Sequence, residues 1–392
     1  MELFEKCRRF TVARRLMAAG WYMYFEPILS AQEPEIIVGQ RRMIMIGSNN
    51  YLGLTTHPKV QEAACQAIQR YGTGCGGSRF LSGNLELHEA VERKLAQFKR
   101  KEAALLFSTG FQANLGILSA LGGKGDVLIT DRLDHASIVD GCRLAFSETR
   151  RFRHNDMADL ERALIAAGGR GKLVVVDGVF SMEGDIANLP EIVRLTRKHG
   201  GRVMVDDAHA TGVLGKEGGG TAQHFGLEDE VDLIMGTCSK ALASVGGFVA
   251  GRADVIHYLQ HQARSLMFSA SLPAPCVATI GAALDVIGAE PERRERLWEN
   301  ARRMKTELTA LGFDTGLSET PIIPVILGED RLTFEFAKSL RQEGIFANPA
   351  VAPAVPKGRA LVRTSYMATH TPEQLDRVLT AFRKVGRQLG VI

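Results

Sequence analysis

One residue of this chain has the type and setting for covalent chemistry, and an acidic residue upstream has the setting to support it. Lys240 lies in Gly236-Thr237-Cys238-Ser239-Lys240-Ala241-Leu242, directly after the largely apolar residues 231–235. A lysine among small and hydroxyl residues at the end of a buried strand is suited to a Schiff base with an aldehyde, because desolvation lowers its pKa and frees the amine lone pair. Alone, it is equally consistent with a surface charge beside a turn. Upstream, Arg202-Val203-Met204-Val205-Asp206-Asp207-Ala208-His209 runs a short apolar strand into two carboxylates and a histidine. An aspartate at the carboxyl end of a buried parallel strand can face the crevice where open α/β sheets bind ligands, and Asp206 has that place. Asp207 is expected to cap the helix or turn that follows.

A cofactor that presents an aldehyde and takes up electrons through a pyridine ring needs an acid to keep its ring nitrogen protonated. Lys240 and Asp206 together therefore suggest pyridoxal phosphate. Composition fits an enzyme of that kind: 392 residues, 45% hydrophobic and 23% charged, are enough for one large domain and a smaller one. A net charge of +4, with basic residues scattered among acids, gives no reason to expect nucleic-acid or membrane-surface binding. Arg150, Arg151 and Arg153 form a local cluster that would suit a phosphorylated or CoA-bearing substrate, or simply a solvated face. Six cysteines without paired spacing point away from a zinc site or a disulfide framework, so no metal is expected and the compartment should be reducing. No run reaches about 18 apolar residues and the N-terminus lacks a signal-peptide core, so the expectation is a cytoplasmic protein with no integral membrane segment. Leu3, Phe4, Cys7, Phe10 and Val12 are expected on one face of a helix packed on the body or on a partner subunit.

Strand-like and helix-like segments alternate from about residue 55 to 285. Short buried strands are expected over 102–107, 126–130, 173–177, 203–206, 233–236 and 247–250. Between them lie helices such as 86–98, where Leu87, Val91, Leu95 and Phe98 share a face. This alternation implies a sheet covered by helices on both faces. After Pro291 a long helix is expected, with Ala301, Met304, Leu308 and Leu311 on one face and Gly312 as its stop. A strand over 322–327 and a helix over 333–342 follow. The last helix opens with Thr371-Pro372-Glu373-Gln374, a capping box with proline at the first helical position. The chain thus divides into an N-terminal segment (1–50), a large cofactor-binding domain (51–285) and a small C-terminal α/β domain (286–392), with 348–358 its most loop-like stretch.

Seven blocks carry a resemblance: Ser48-Asn49-Asn50-Tyr51-Leu52-Gly53-Leu54; Tyr71-Gly72-Thr73-Gly74 with Gly77-Ser78-Arg79; Ser108-Thr109-Gly110-Phe111-Gln112-Ala113-Asn114; Asp134-His135-Ala136-Ser137; Val179-Phe180-Ser181-Met182-Glu183-Gly184-Asp185; Asp206-Asp207-Ala208-His209; and Gly236-Thr237-Cys238-Ser239-Lys240. From about residue 45 to the C-terminus the chain resembles the α-oxoamine synthases, in block order as well as in content. That resemblance implies an α/β fold of the fold-type I pyridoxal phosphate-dependent transferases: a mostly parallel central sheet with helices on both faces, plus a smaller C-terminal α/β domain. It implies condensation of a small amino acid with an acyl-CoA or acyl carrier protein thioester, with loss of CO2, to give an α-aminoketone. The opening block, residues 74–84 and residues 363–371 look most like members that use L-serine and a long-chain acyl-CoA. Val355-Pro356-Lys357-Gly358 is similar to members that use glycine, and alanine users are a further alternative. An aminotransferase shares the fold and the lysine, and a non-catalytic partner subunit would be expected to lack that lysine.

The resemblance also implies roles. Lys240 would be the Schiff-base lysine and the base at Cα, and Asp206 the partner of the pyridine nitrogen. His209 and Ser181 would lie near the phenolic oxygen, and His135 would stack on the ring; the bland alternative for His135 is a buried helix cap. Thr109, Gly110 and Phe111 would hold the phosphate at a helix N-terminus, where orphan N–H donors and the helix dipole favour an anion. Thr237 would add a hydroxyl. Ser269 and Ala270 would reach the phosphate of a neighbouring subunit, implying a homodimer. Asn49 and Arg363 would hold the amino acid carboxylate, arginine because its planar fork grips a carboxylate with two hydrogen bonds. Otherwise Arg363 is a strand-edge surface charge. Cys238 stands where the family often has an aromatic residue.

Overall fold

In a computed structural model that describes residues 2–392, the chain starts with two short helices, α1 (Glu5–Arg9) and α2 (Val12–Ala18). A hairpin follows, β1 (Glu35–Val38) and β2 (Arg41–Met45), paired Val38 to Arg41 across a two-residue turn. Gly39 takes φ +59 there, as a tight hairpin turn requires. Neither helix buries a residue, and Leu3, Phe4, Phe10 and Val12 are all exposed. The expected packing of that apolar face on the body is absent among the described residues: the helix breaks at Phe10 and Thr11, so no continuous stripe forms.

Then come α3 (Pro58–Tyr71), α4 (Glu86–Phe98), β3 (Ala103–Phe107), α5 (Gly110–Leu121), β4 (Val127–Asp131), α6 (Ala136–Leu144), β5 (Glu148–Phe152), α7 (Met157–Ala167) and β6 (Lys172–Asp177). The run continues through α8 (Leu189–Lys198), β7 (Arg202–Asp206), α9 (Thr221–Phe225), β8 (Leu233–Thr237), β9 (Gly247–Gly251), α10 (Ala253–Gln262), α11 (Arg264–Met267) and α12 (Ala274–Ala289). The seven strands form one sheet in the order β3-β9-β8-β7-β6-β4-β5. All neighbours from β8 to β5 are parallel, and β9 runs antiparallel to both β3 and β8.

Alternation along the strands builds a core on each face of the sheet. Val127, Ile129, Val174, Val176, Val203, Val205 and Ile234 pack with Leu160 and Leu164 of α7 and Ile192 of α8. Their neighbours Leu128, Leu173, Val175, Met204, Leu233 and Met235 pack on the other side with Ile117 of α5, Ile138 of α6 and Leu259 of α10. The six strands expected from the sequence are all present within one residue at each end. The sequence missed β5, because Glu-Thr-Arg-Arg-Phe carries a single buried side chain. Charges of this kind keep an edge strand from pairing with other chains. Arg150 pairs with Glu148, Arg151 donates to the Arg132 carbonyl, and Arg153 pairs with Asp156, which makes the basic cluster a solvated edge.

The chain ends with α13 (Glu292–Ala310), β10 (Ile322–Gly328), α14 (Asp330–Gln342), β11 (Ile345–Phe346), β12 (Asn348–Ala350), β13 (Ala360–Ser365) and α15 (Pro372–Gln388). The capping box is formed as expected: Thr371 accepts from the Gln374 N–H, and the Gln374 side chain accepts from the Thr371 N–H. Residues 49–298 with 367–369 make one compact unit; residues up to 48 with 299–366 and 370–392 make the other. In the second unit β10, β13 and β12 form an antiparallel sheet, and β11 runs parallel to β2. Phe313, Phe336 and Phe382 meet there in an aromatic cluster with centroids 5.7–5.8 Å apart. No helix is long and apolar enough to cross a membrane among the described residues.

Candidate active site

The carboxyl ends of the parallel strands bring most of the expected residues together. Asp206 closes β7 and is buried, its Oδ1 accepting from the Ala208 N–H at 2.9 Å. Its Oδ2 accepts from Asn114 Nδ2 of α5 at 2.8 Å, and the same nitrogen reaches Ser137 Oγ at 2.8 Å. Lys240 lies in the loop that leaves β8, tied by Cys238 N–H to the Gly246 carbonyl (2.9 Å) and by Ala243 N–H to the Lys240 carbonyl (3.0 Å). Cys238 is fully buried beneath that loop, and burial raises its thiol pKa far above the ordinary value.

Thr109 caps α5, its hydroxyl accepting from the Gln112 N–H at 3.1 Å. The next amides, of Gly110 and Phe111, fall in the first turn of α5 and have no partner within the helix. The approach here is close. A Cβ on Gly110 would fall 2.9 Å from Thr237 Cβ, and one on Gly247 would fall 2.6 Å from Gly110 Cα and from the Thr109 carbonyl oxygen. Thr237 Oγ1 itself donates to the Gly246 carbonyl at 3.1 Å and lies 2.9 Å from Ser239 Oγ. Ser269 Oγ accepts from Gln112 Nε2 at 3.1 Å, and the Ala270 carbonyl accepts from Ser108 Oγ at 2.5 Å, so this segment lies against α5 of its own chain.

His135 does cap a helix: it precedes α6, and its Nδ1 accepts from the Ser137 N–H at 3.2 Å. Capping uses one ring nitrogen and neither ring face. Its backbone N–H donates to Asp177 Oδ2 at 2.8 Å, and Phe111 stands edge-on to its ring at 6.4 Å. Desolvation by the surrounding walls lowers its pKa, with Asp206 opposing and Lys240 adding to the effect, so both charges are felt at the ring. His209 Nδ1 is 2.7 Å from the Tyr51 hydroxyl, which in turn lies 3.4 Å from Asn49 Oδ1. Ser181 is partly buried in the loop after β6, which the Phe180 N–H closes onto the Asp185 carbonyl at 3.0 Å. Arg363 belongs to the other compact unit. There it pairs with Asn348 and Pro324 across the sheet, and its Nη1 lies 3.5 Å from Ser365 Oγ.

Several polar groups that the sequence did not single out stand behind these. Asp134 and Asp177 are buried carboxylates whose pKa values rise well above the usual range, through burial and then mutual repulsion with neighbouring aspartates. Tyr51 and Asn114 fall inside recognised blocks, yet nothing in their spacing announces a partner. Asp207 proves to be more than a cap. Its Oδ1 accepts from the Thr221 N–H at the start of α9 (3.1 Å), while its Oδ2 forms a fully buried ion pair with Lys99 at 3.0 Å.

This donor set fits pyridoxal phosphate. A buried carboxylate anchored from two sides suits a protonated ring nitrogen, and a glycine-lined helix N-terminus beside a threonine suits a phosphate. Asn114 Oδ1, buried and without a hydrogen-bond partner, adds an acceptor beside Asp206.

Comparison with known proteins agrees. The family described as aminotransferase class I and II matches residues 41–382. A serine palmitoyltransferase of Sphingobacterium spiritivorum is 50% identical over 391 residues, covering 100% of this chain and 98% of the relative. An 8-amino-7-oxononanoate synthase of Thermoanaerobacter pseudethanolicus is 48% identical over 379 residues, 96% of each chain. Among solved structures, a serine palmitoyltransferase from S. paucimobilis with bound PLP and myriocin superposes with a TM-score of 0.97 at 38% identity, covering 100% of both chains.

Proposed function

The chain belongs to the aminotransferase class I and II family, and we propose that within it this protein is a pyridoxal phosphate-dependent acyltransferase of the α-oxoamine synthase type. It joins a small L-amino acid, L-serine before others, to a long-chain acyl-CoA, and releases CO2, CoA and an α-aminoketone of the 3-ketosphinganine kind that opens sphingolipid biosynthesis. The observation that carries this reading is full-length 50% identity to a relative named serine palmitoyltransferase. A second reading, an 8-amino-7-oxononanoate synthase-like enzyme using alanine, draws on the 48% identity to the Thermoanaerobacter protein. The acyl donor there is a CoA or carrier-protein thioester.

Bound pyridoxal phosphate supplies an aldehyde for the amino group and a sink for the negative charge that develops at Cα. The chain supplies the rest. The N-terminus of α5, through Thr109, Gly110 and Phe111, holds the phosphate with Thr237. Asp206 holds the proton on the ring nitrogen, with Asn114 bracing its carboxylate. His135 would pack against the ring, and desolvation, which lowers its pKa, favours its neutral form there. His209, oriented by Tyr51, and Ser181 face the phenolic oxygen. Arg363 and Asn49 would grip the substrate carboxylate and so fix the orientation of its Cα. Lys240 takes the Cα proton and later returns one. We further propose a cytoplasmic homodimer in which Ser269 and Ala270 extend toward the neighbouring subunit's phosphate.

Lys240→Ala tests the reading. Turnover and the borohydride-reducible link to the cofactor should both vanish, and retained CoA release from serine and palmitoyl-CoA would overturn it.

A further inference from the structure

Lys99 is a fully buried lysine with no part in the chemistry above. Its ammonium has three N–H donors, and each has a partner: Asp207 Oδ2 at 3.0 Å, Thr211 Oγ1 at 2.8 Å and the Gly219 carbonyl at 2.8 Å. Two of those partners are the first and last residues of one tight turn. Asp207 to Thr211 closes on itself, with the Ala210 and Thr211 N–H groups both donating to the Asp207 carbonyl, at 3.0 and 2.9 Å. His209 lies in the middle of that turn, and Asp206 immediately precedes it.

The far side of Asp207 is equally constrained. Gly220 has φ +105, and a Cβ there would fall 1.9 Å from Asp207 Oδ2 and 2.9 Å from Lys99 Nζ, so Gly220 lies directly against the ion pair, beside the Gly219 carbonyl that Lys99 reaches. Burial lowers the Lys99 pKa, and attraction to Asp207 opposes that drop. A neutral side chain could fill the space. It could not reach both ends of the turn and also neutralise a buried carboxylate adjacent to Asp206, and a buried charge left alone is costly.

We propose that Lys99 is a positioning residue for the reaction: through Asp207 and Thr211 it fixes the turn that presents Asp206 to the cofactor ring nitrogen and His209 to the phenolic oxygen. This rests on the roles given above to Asp206 and His209.

The test uses the cofactor-loaded enzyme with Lys99→Met, Thr211→Val and Asp206→Asn. Thr211→Val removes one strut and keeps the ion pair, so it remains informative if Lys99→Met fails to fold. Three readouts are followed: the dissociation constant of pyridoxal phosphate, the visible band of the bound cofactor, and kcat separately from KM for serine. Lys99→Met should weaken cofactor binding about tenfold or more, about 1.4 kcal/mol, shift the band, and lower kcat with KM for serine nearly unchanged. Thr211→Val should move the same quantities in the same direction by less. Wild-type affinity, band and kcat in both variants, beside a crippled Asp206→Asn, would overturn the inference alone. A silent Asp206→Asn would instead overturn the reading of the site on which it stands.

Discussion

His154 is predicted to make this protein lose stability as the pH rises from neutral to alkaline. Its Nδ1 lies 3.2 Å from Asp131 Oδ1 and its Nε2 2.9 Å from Asp185 Oδ2, and only the imidazolium can donate from both nitrogens. Burial lowers its pKa, but the hydrogen bonds and charges of Asp131 and Asp185 outweigh burial and carry it from 6.5 to about 10. A group whose folded pKa is raised contributes fully below its unfolded pKa and loses that contribution as pH climbs through the folded value. The window is therefore pH 6.5 to about 10. Each pH unit within it is worth at most about 1.4 kcal/mol, so the ceiling between pH 6.5 and 9 is about 3.5 kcal/mol. The side chain is 27% exposed and its partners are themselves costly to bury, so we expect about 2 kcal/mol. Urea unfolding of wild type and His154→Gln at pH 6.5 and pH 9, at one protein and cofactor concentration, measures it. The penalty of His154→Gln should be about 2 kcal/mol larger at pH 6.5 than at pH 9. An equal penalty at both pH values would refute the charged bridge. The bridge also bears on the site: Asp131 N–H donates to Asp134 Oδ2, Asp177 N–H to Asp134 Oδ1, and His135 N–H to Asp177, so one network joins the His135 loop to the Ser181 loop.

Two further substitutions separate the roles of the binding residues. Arg363→Ala should raise KM for the amino acid about tenfold or more while leaving KM for the acyl thioester in place, the loss of a charge-assisted pair being worth about 1.5–3 kcal/mol; an unchanged amino acid KM would sink its role. Gly247→Ala pushes a methyl to 2.6 Å from backbone atoms of Thr109 and Gly110 that cannot move aside as a side chain can. It should cost about 1–3 kcal/mol of stability and weaken pyridoxal phosphate binding; calorimetric titration at wild-type affinity would contradict the tight cradle.

The sheet was legible because its central strands are unbroken apolar runs such as Val174 to Val176, whose burial on both faces leaves little choice of structure. The edge strand β5 was not, since its sequence is written for solvent. Lys240, Asp206, His135 and His209 could be nominated because the blocks around them are distinctive. Lys99 could not: followed by Arg100 and Lys101, it looks like the solvated end of a helix, and only the fold turns it inward onto Asp207. His154 is equally silent, since its partners arrive from places that no spacing links, Asp131 from the end of β4 and Asp185 from the loop after β6.

The central claim is that this chain activates a small amino acid on pyridoxal phosphate and acylates it from a thioester. The most direct measurement follows the visible absorption of the loaded protein through titration with serine, alanine, glycine and threonine, then adds palmitoyl-CoA and quantifies free CoA. The account predicts a saturable spectral change with serine and CoA release that depends on it. Saturation with alanine or glycine in place of serine would move the substrate within the family, and no spectral response to any of the four amino acids would contradict the account.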